Sequence, residues 1–223
     1  MALTASDSGS GNFKRVPAGS HIARCFSIAD LGTHTTNGQY GETTNRKIRL
    51  AWEIFGEDEN NEPLTIEVDG KQMPMTINKT YTLSLGEKAA LRKDLSAWRG
   101  RDFTPDELKA FDVSTVLGAY AMLNVTISES NGKTYSNVAG ISPLHKSMTK
   151  PNPVHANQLF DLDNPDMKVF NAFYEGLQDY IKESPEWKAF NNAMNGNQQT
   201  NTGNGFDDIP DDLPFDNSDS VPF

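Results

Sequence analysis

A phosphate-and-base chemistry is written into one short stretch of the chain. Arg46-Lys47-Ile48-Arg49-Leu50-Ala51-Trp52-Glu53-Ile54-Phe55 alternates at period two. Ile48, Leu50, Trp52 and Ile54 fall on one face of a strand, and Lys47, Arg49, Glu53 and Phe55 on the other. Cations opposite an apolar face can hold phosphate; flat rings can stack bases. Tyr120, Tyr135 and Phe55 lie on faces away from the expected core. Lys133 stands beside a hairpin tip, and Tyr40 sits in a long polar stretch. Each has a plainer reading. The cations could line a solvated strand face, and the rings could cover the sheet beneath C-terminal helices. Trp52 and Trp98 share the parity of core residues.

Other chemistries lack their residues. There is no Walker-type phosphate loop and no cysteine pair for zinc, and the four histidines show no ligand spacing. Cys25, the single cysteine, lies in a strand with no base visible beside it, which predicts a core thiol. Asp161, Asp163 and Asp166 lack the glycine and distal glutamate of a calcium loop; Asn164-Pro165-Asp166 reads as a helix start. A non-enzymatic protein without metal or cofactor is expected.

A second candidate for binding is the C-terminal tail, residues 206–223, which holds six aspartates and no Lys or Arg. An acid–aliphatic–proline pattern recurs in it: Asp207-Asp208-Ile209-Pro210, Asp211-Asp212-Leu213-Pro214-Phe215 and, loosely, Asp219-Ser220-Val221-Pro222-Phe223. So little apolar surface cannot offset the entropy of ordering a backbone. A disordered acidic string with a hydrophobic tip is expected: a solubiliser, or a docking peptide steered by its aspartates with Phe215 or Phe223 as anchor. As a tethered polyanion it should also compete with a polyanionic ligand for a basic face.

The elements that must position these residues follow from periodicity. Residues 21–31 read as a strand whose bulky apolar members are Ile22, Phe26 and Ile28. Residues 32–45 read as a long, mobile, polar loop. Further strands are expected at 46–55, 64–68 and 75–85. The period then changes. Ser84 and Glu87 have capping-box spacing, and Leu91, Leu95 and Trp98 recur at helical intervals over 85–99. A second box, Thr104-Pro105-Asp106-Glu107, opens a short helix. Residues 119–128 alternate again, Asn131-Gly132 is a strong hairpin turn, and 134–141 return. That register sets Ser130 against Lys133, Ser128 against Tyr135 and Thr126 against Asn137. Residues 142–159 form a connector. Helices follow: one from Asn164-Pro165 carrying Val169, Phe170, Phe173, Leu177 and Ile181, the next from Ser184-Pro185. Residues 195–205 read as a flexible linker.

Three strands, a helix and two strands is the order of a five-stranded OB-fold barrel, and small mixed sheets could also give it. The expected organisation is a flexible N-terminus at 1–20, an OB-fold domain at 21–150, a helical appendix at 151–194, and a disordered linker and tail at 195–223. The formal charge of −10 argues at first against nucleic acid. Its distribution argues otherwise. Residues 1–150 hold 17 Lys and Arg against 17 Asp and Glu, whereas residues 201–223 hold none against six. The acid is segregated at the C-terminus. One cysteine, no apolar run behind a basic start and no membrane-length window predict a soluble, cytoplasmic protein.

Taken together, the sequence resembles the phage single-stranded DNA-binding proteins. The tail is similar to the Asp-Asp-Ile-Pro-Phe ending of bacterial single-stranded DNA-binding proteins through Asp207, Asp208, Ile209, Asp211, Asp212, Leu213 and Phe215, with Phe223 at the terminus. The body is similar to phage replication proteins through Tyr81-Thr82-Leu83-Ser84-Leu85-Gly86-Glu87-Lys88, Trp98-Arg99-Gly100-Arg101 and Ser130-Asn131-Gly132-Lys133-Thr134-Tyr135. The resemblance implies an OB-fold, single-stranded DNA as ligand in replication or recombination, and replication or recombination proteins as partners of the tail. Under that reading the ligand set is Tyr40, Arg46, Lys47, Arg49, Phe55, Tyr120, Lys133 and Tyr135. A replication-machinery interaction module or host-factor inhibitor that binds no DNA is the alternative. The helical appendix could pack on the barrel or mediate a homo-oligomer.

Overall fold

The computed structural model describes residues 14–38 and 41–199, with side chains to residue 194. The fold is mainly β, an antiparallel sheet with a few helices. β1 (Gly19–Gly38) and β2 (Gly41–Phe55) form a long hairpin; β3 (Thr65–Val68) and β4 (Lys71–Pro74) form a separate two-stranded ribbon. β5 (Thr76–Thr82) leads to helices α1 (Ala90–Arg99) and α2 (Pro105–Lys109), then β6 (Tyr120–Ser130) and β7 (Lys133–Pro143). The main ladder runs β5-β2-β1-β6-β7. Its end strands, β5 and β7, lie near each other without ladder hydrogen bonds between them. β8 (Gln158–Phe160) adds parallel to β1, and α3 (Met167–Asn171), α4 (Glu175–Lys182) and α5 (Pro185–Gln199) follow. The compact unit carrying the sheet extends to Lys188; the second unit, Ala189–Phe223, begins within α5.

The alternation in β2 is realised as read. Ile48, Leu50, Trp52 and Ile54 are buried, joined by Ile77 and Tyr81 of β5, Leu91, Leu95 and Trp98 of α1, and Ala121, Leu123 and Val125 of β6. Cys25 is in this core, where burial pushes its thiol up to about 12. The β6–β7 register sets Ser128 opposite Tyr135, as the Asn131-Gly132 turn requires. Both turn residues have positive φ, 51° and 70°, the backbone of a hairpin whose twist matches its strands.

Several expectations are corrected. The expected loop at 32–45 is the distal half of the β1–β2 hairpin. Its threonines pair across strands, Thr35 with Thr44 and Thr36 with Thr43, so β-branching outweighs polarity. In β1 a bulge at Phe26 shifts the parity. Cys25 and Ile28 therefore enter the core, while Ile22 and Phe26 are only half-buried. Ser84 does not cap α1: its hydroxyl accepts from the Gly86 N–H, making a turn, and the helix begins at Ala90 without a side-chain cap. Thr104 and Glu107 do form the second capping box. Ile127, which by alternation shares the core face of Ala121, Leu123 and Val125, is 43% exposed, because β6 runs past the core at the hairpin tip. The helix expected from Asn164-Pro165 is two helices; Asp166 caps the first, accepting from the Lys168 N–H. Residues 195–199, expected as linker, continue α5.

The other face of β1 has a second core. Ala29 and Leu31 pack with Phe160, Leu162, Phe170, Phe173, Leu177 and Ile181. Gly32 permits the approach. Its φ is +79°, and a Cβ there would lie 2.4 Å from Cβ of Ser184. Any side chain would push the C-terminal helices off the strand.

Candidate nucleic-acid interface

The parity of β2 sends Lys47, Arg49, Glu53 and Phe55 to one face, but the structure gives them different surroundings. Glu53 is fully buried. It pairs with Arg24 at 2.6 Å and accepts from the backbone N–H groups of Val154 and His155 and from the His155 ring. Burial pushes its carboxyl up, yet the His155 N–H, the Arg24 guanidinium and the other donors outweigh this and hold it below the usual carboxylate range. Arg24 also donates to the His155 carbonyl and to Asn157. This network ties the connector to the sheet.

Arg46 is likewise committed. It donates to Asp30 and, at 3.2 Å, to Asp163, and Asp30 first among the two raises its pKa further. Two carboxylates leave it little attraction for phosphate, so its assignment as a DNA ligand gains no support from the structure. Phe55 and Tyr120 come together, ring centroids 6.4 Å apart, with the Lys150 ammonium 5.7 Å above the Tyr120 ring. The Tyr120 hydroxyl donates to the Pro151 carbonyl, so this pair helps anchor the connector. Tyr40 and the tail residues Asp207, Asp208, Ile209, Asp211, Asp212, Leu213, Phe215 and Phe223 lie outside the described residues.

The open surface lies along β5. Thr76, Asn78 and Thr80 are exposed and Thr82 half-buried, all on the face shared with Arg49 and Lys47. The six residue steps from Thr76 to Thr82 span ~20 Å. Three cavities follow this row. At the Thr76 end, one of about 480 Å³ is walled by Lys14, Arg15 and Tyr135. The middle one, about 250 Å³, also touches Thr76 and Asn78 and is walled by Arg49 and Tyr174. The third, about 620 Å³, holds Lys47, Lys88, Thr80, Thr82 and Tyr180.

The three tyrosines are held in different ways. Tyr135 is 46% exposed on the β6–β7 hairpin, whose other predicted ligand, Lys133, is exposed beside the turn. Tyr180 stacks on His34, with centroids 3.8 Å apart and planes 13° from parallel. Tyr174 is 63% exposed at the extended N-cap of α4. Gly176 lies close beneath its ring: a Cβ there would be 3.4 Å from Tyr174.

The cations of this row lack counter-charges in ion-pair contact. Among the described residues, Arg15, Lys47, Arg49 and Lys88 enter no salt bridge. Lys47 donates to the Thr82 hydroxyl at 3.0 Å. Arg49 lies 5.7 Å from the Tyr174 ring centroid, and desolvation lowers its pKa. Its guanidinium is half-buried and has no carboxylate beside it among the described residues, so its donors stay open to a ligand.

Tyr174, Tyr180 and Lys88 were missed in the sequence reading. The first two sit on the helical spacing of an apparent core helix. Only the break between α3 and α4 frees Tyr174, while Phe170, Phe173, Leu177 and Ile181 stay buried. A different cleft, of about 440 Å³, is lined by Asp30, Asp112, Asp161 and Asp163 around Arg46 and is acidic on balance. The chain matches no protein-family model and no curated protein. No helix among the described residues is long and apolar enough to cross a membrane.

Proposed function

We propose that the protein binds and protects single-stranded DNA without enzymatic activity, in the manner of the phage proteins it resembles. Cations outside any ion pair among the described residues, interleaved with tyrosines along the open row of β5, carry this reading. Phosphates pair with Arg15, Lys47 and Lys88 while bases stack on rings, each stacked base contributing ~1–3 kcal/mol. The strand order β5-β2-β1-β6-β7, a helix between β5 and β6, and the nearness of β5 and β7 support an OB-type barrel as the scaffold. The acidic tail recruits replication or recombination proteins and competes with DNA. The alternative, an interaction module indifferent to DNA, has the acid-lined cleft in its favour.

Fluorescence anisotropy on labelled oligonucleotides tests this, with matched duplexes as controls. Single strands should bind more tightly than duplex, with affinity falling steeply as salt rises. Absent or salt-independent single-strand binding at low ionic strength overturns the reading and favours the interaction module.

A further inference from the structure

The middle cavity differs from its neighbours. It is the smallest of the three on β5, and two aromatic rings line it: Phe26, stacked on His155 with centroids 4.5 Å apart, and Tyr174. Arg49, Asn78 and Gln158 also line it. Among the described residues, the Asn78 and Gln158 side chains make no hydrogen bond, and the Arg49 guanidinium makes neither hydrogen bond nor ion pair. The space therefore combines aromatic rings with a forked donor and two amides, none of which makes a hydrogen bond among the described residues.

A phosphate alone satisfies only part of this. It would use the donors but leave the rings and amide oxygens idle, and it would have to leave water to sit among aromatic walls. A planar group with edge acceptors uses everything. Guanine presents O6 and N7 side by side, which the fork of an arginine meets with two parallel hydrogen bonds. Its N1–H and N2–H₂ suit the Asn78 and Gln158 oxygens. Adenine would turn its N6–H₂ donor toward the guanidinium, and pyrimidines have no N7.

Resting on the reading of this surface as a single-strand groove, we propose that the cavity is a one-base pocket. It takes an unstacked guanine between Tyr174 and Phe26, with Arg49 reading O6 and N7. Binding along β5 is otherwise indifferent to sequence, and this pocket adds a preference for strands that carry guanine.

The experiment compares a 20-nucleotide oligo-dT with the same strand carrying one central dG, dA or dC, by competition anisotropy on the full chain. The dG strand should bind about five- to a hundredfold more tightly than oligo-dT, the range one bidentate base contact confers. The dA and dC strands should match oligo-dT. Arg49→Lys keeps the charge but loses the fork, and should abolish the dG preference. Tyr174→Ala, at an exposed position, should weaken both strands and also erase the preference. Equal binding of all four strands by the wild-type protein overturns the pocket and leaves the groove standing. A dG preference that survives both variants also overturns it. Failure of every single strand to bind overturns the groove and the pocket together.

Discussion

The outer face of the sheet is used in two opposed ways. Over β1 and the start of β6 it is sealed. Phe160 lies against Phe170 and Phe173 with centroids 5.6 and 5.5 Å away, and the charges there are spent on one another: Arg24 on Glu53, Arg46 on Asp30 and Asp163. Over β5, the next strand beyond β2, threonines and an asparagine face open cavities, and among the described residues Lys47, Arg49 and Lys88 enter no salt bridge, although Glu87 lines the cavity of Lys47 and Lys88. Polar groups over β1 hold the fold together, whereas those three cations beside β5 form no ion pair among the described residues. A charge on a strand face says nothing by itself about ligand binding. Whether a counter-charge already sits within reach separates the two halves.

Breaking the sealed half should give the largest effect. Glu53→Ala leaves Arg24 buried without its carboxylate, and removing one partner of a buried pair costs about 3–5 kcal/mol. Urea unfolding should register that loss, whereas Thr80→Val on the open row should stay within about 0.5 kcal/mol. If Glu53→Ala and Thr80→Val prove equally mild, the two halves are not energetically distinct. DNA affinity should rank them the other way, since Thr80 lines the groove and Glu53 does not.

Acid should expose the same contrast with a smaller effect. Glu53 has a depressed pKa in the folded protein, so the unfolded chain takes up its proton first as pH falls. Its contribution is therefore complete above the ordinary carboxylate value of about 4.3 and disappears as pH drops through the lower folded value. The wild-type protein should lose stability across that window more steeply than Glu53→Gln, which has no proton to take up there. Parallel stability curves for the two would remove Glu53 from the acid response.

Much of the fold was legible because it depends on local rules. The β2 alternation fixed one core face, Asn131-Gly132 fixed a register, and Thr104 with Glu107 fixed a cap. Asp69-Gly70, the turn between β3 and β4 with φ of 50° and 74°, carries the same kind of signal but was passed over. Arms 32–38 and 41–45 were misread because both faces of that ribbon are wet, so no apolar alternation marks it. The site was legible only in part. Lys47, Arg49 and Tyr135 do face the β5 cavities. Arg46 lines none of them; it pairs with Asp30 and with Asp163, and no local pattern announces a partner 117 residues away. Tyr174 was hidden for a related reason: its exposure depends on a helix break that its apolar spacing argues against.

The finest test of the contrast concerns a single lysine. Lys88 is exposed, lines the cavity with Lys47 and Tyr180, and has no ion-pair partner among the described residues. Lys109 is also exposed but is paired with Asp106 at 2.8 Å on α2. If Lys88 neutralises one phosphate, Lys88→Ala should flatten the plot of log affinity against log salt by about 0.7, the counterion release of one single-strand contact. Lys109→Ala should leave the slope unchanged, although the two substitutions alter net charge equally. An equal change in slope for both would mean that the protein attracts DNA through its overall field. A change confined to Lys88 would mean that phosphate lies along β5, because counterion release follows contact and not total charge.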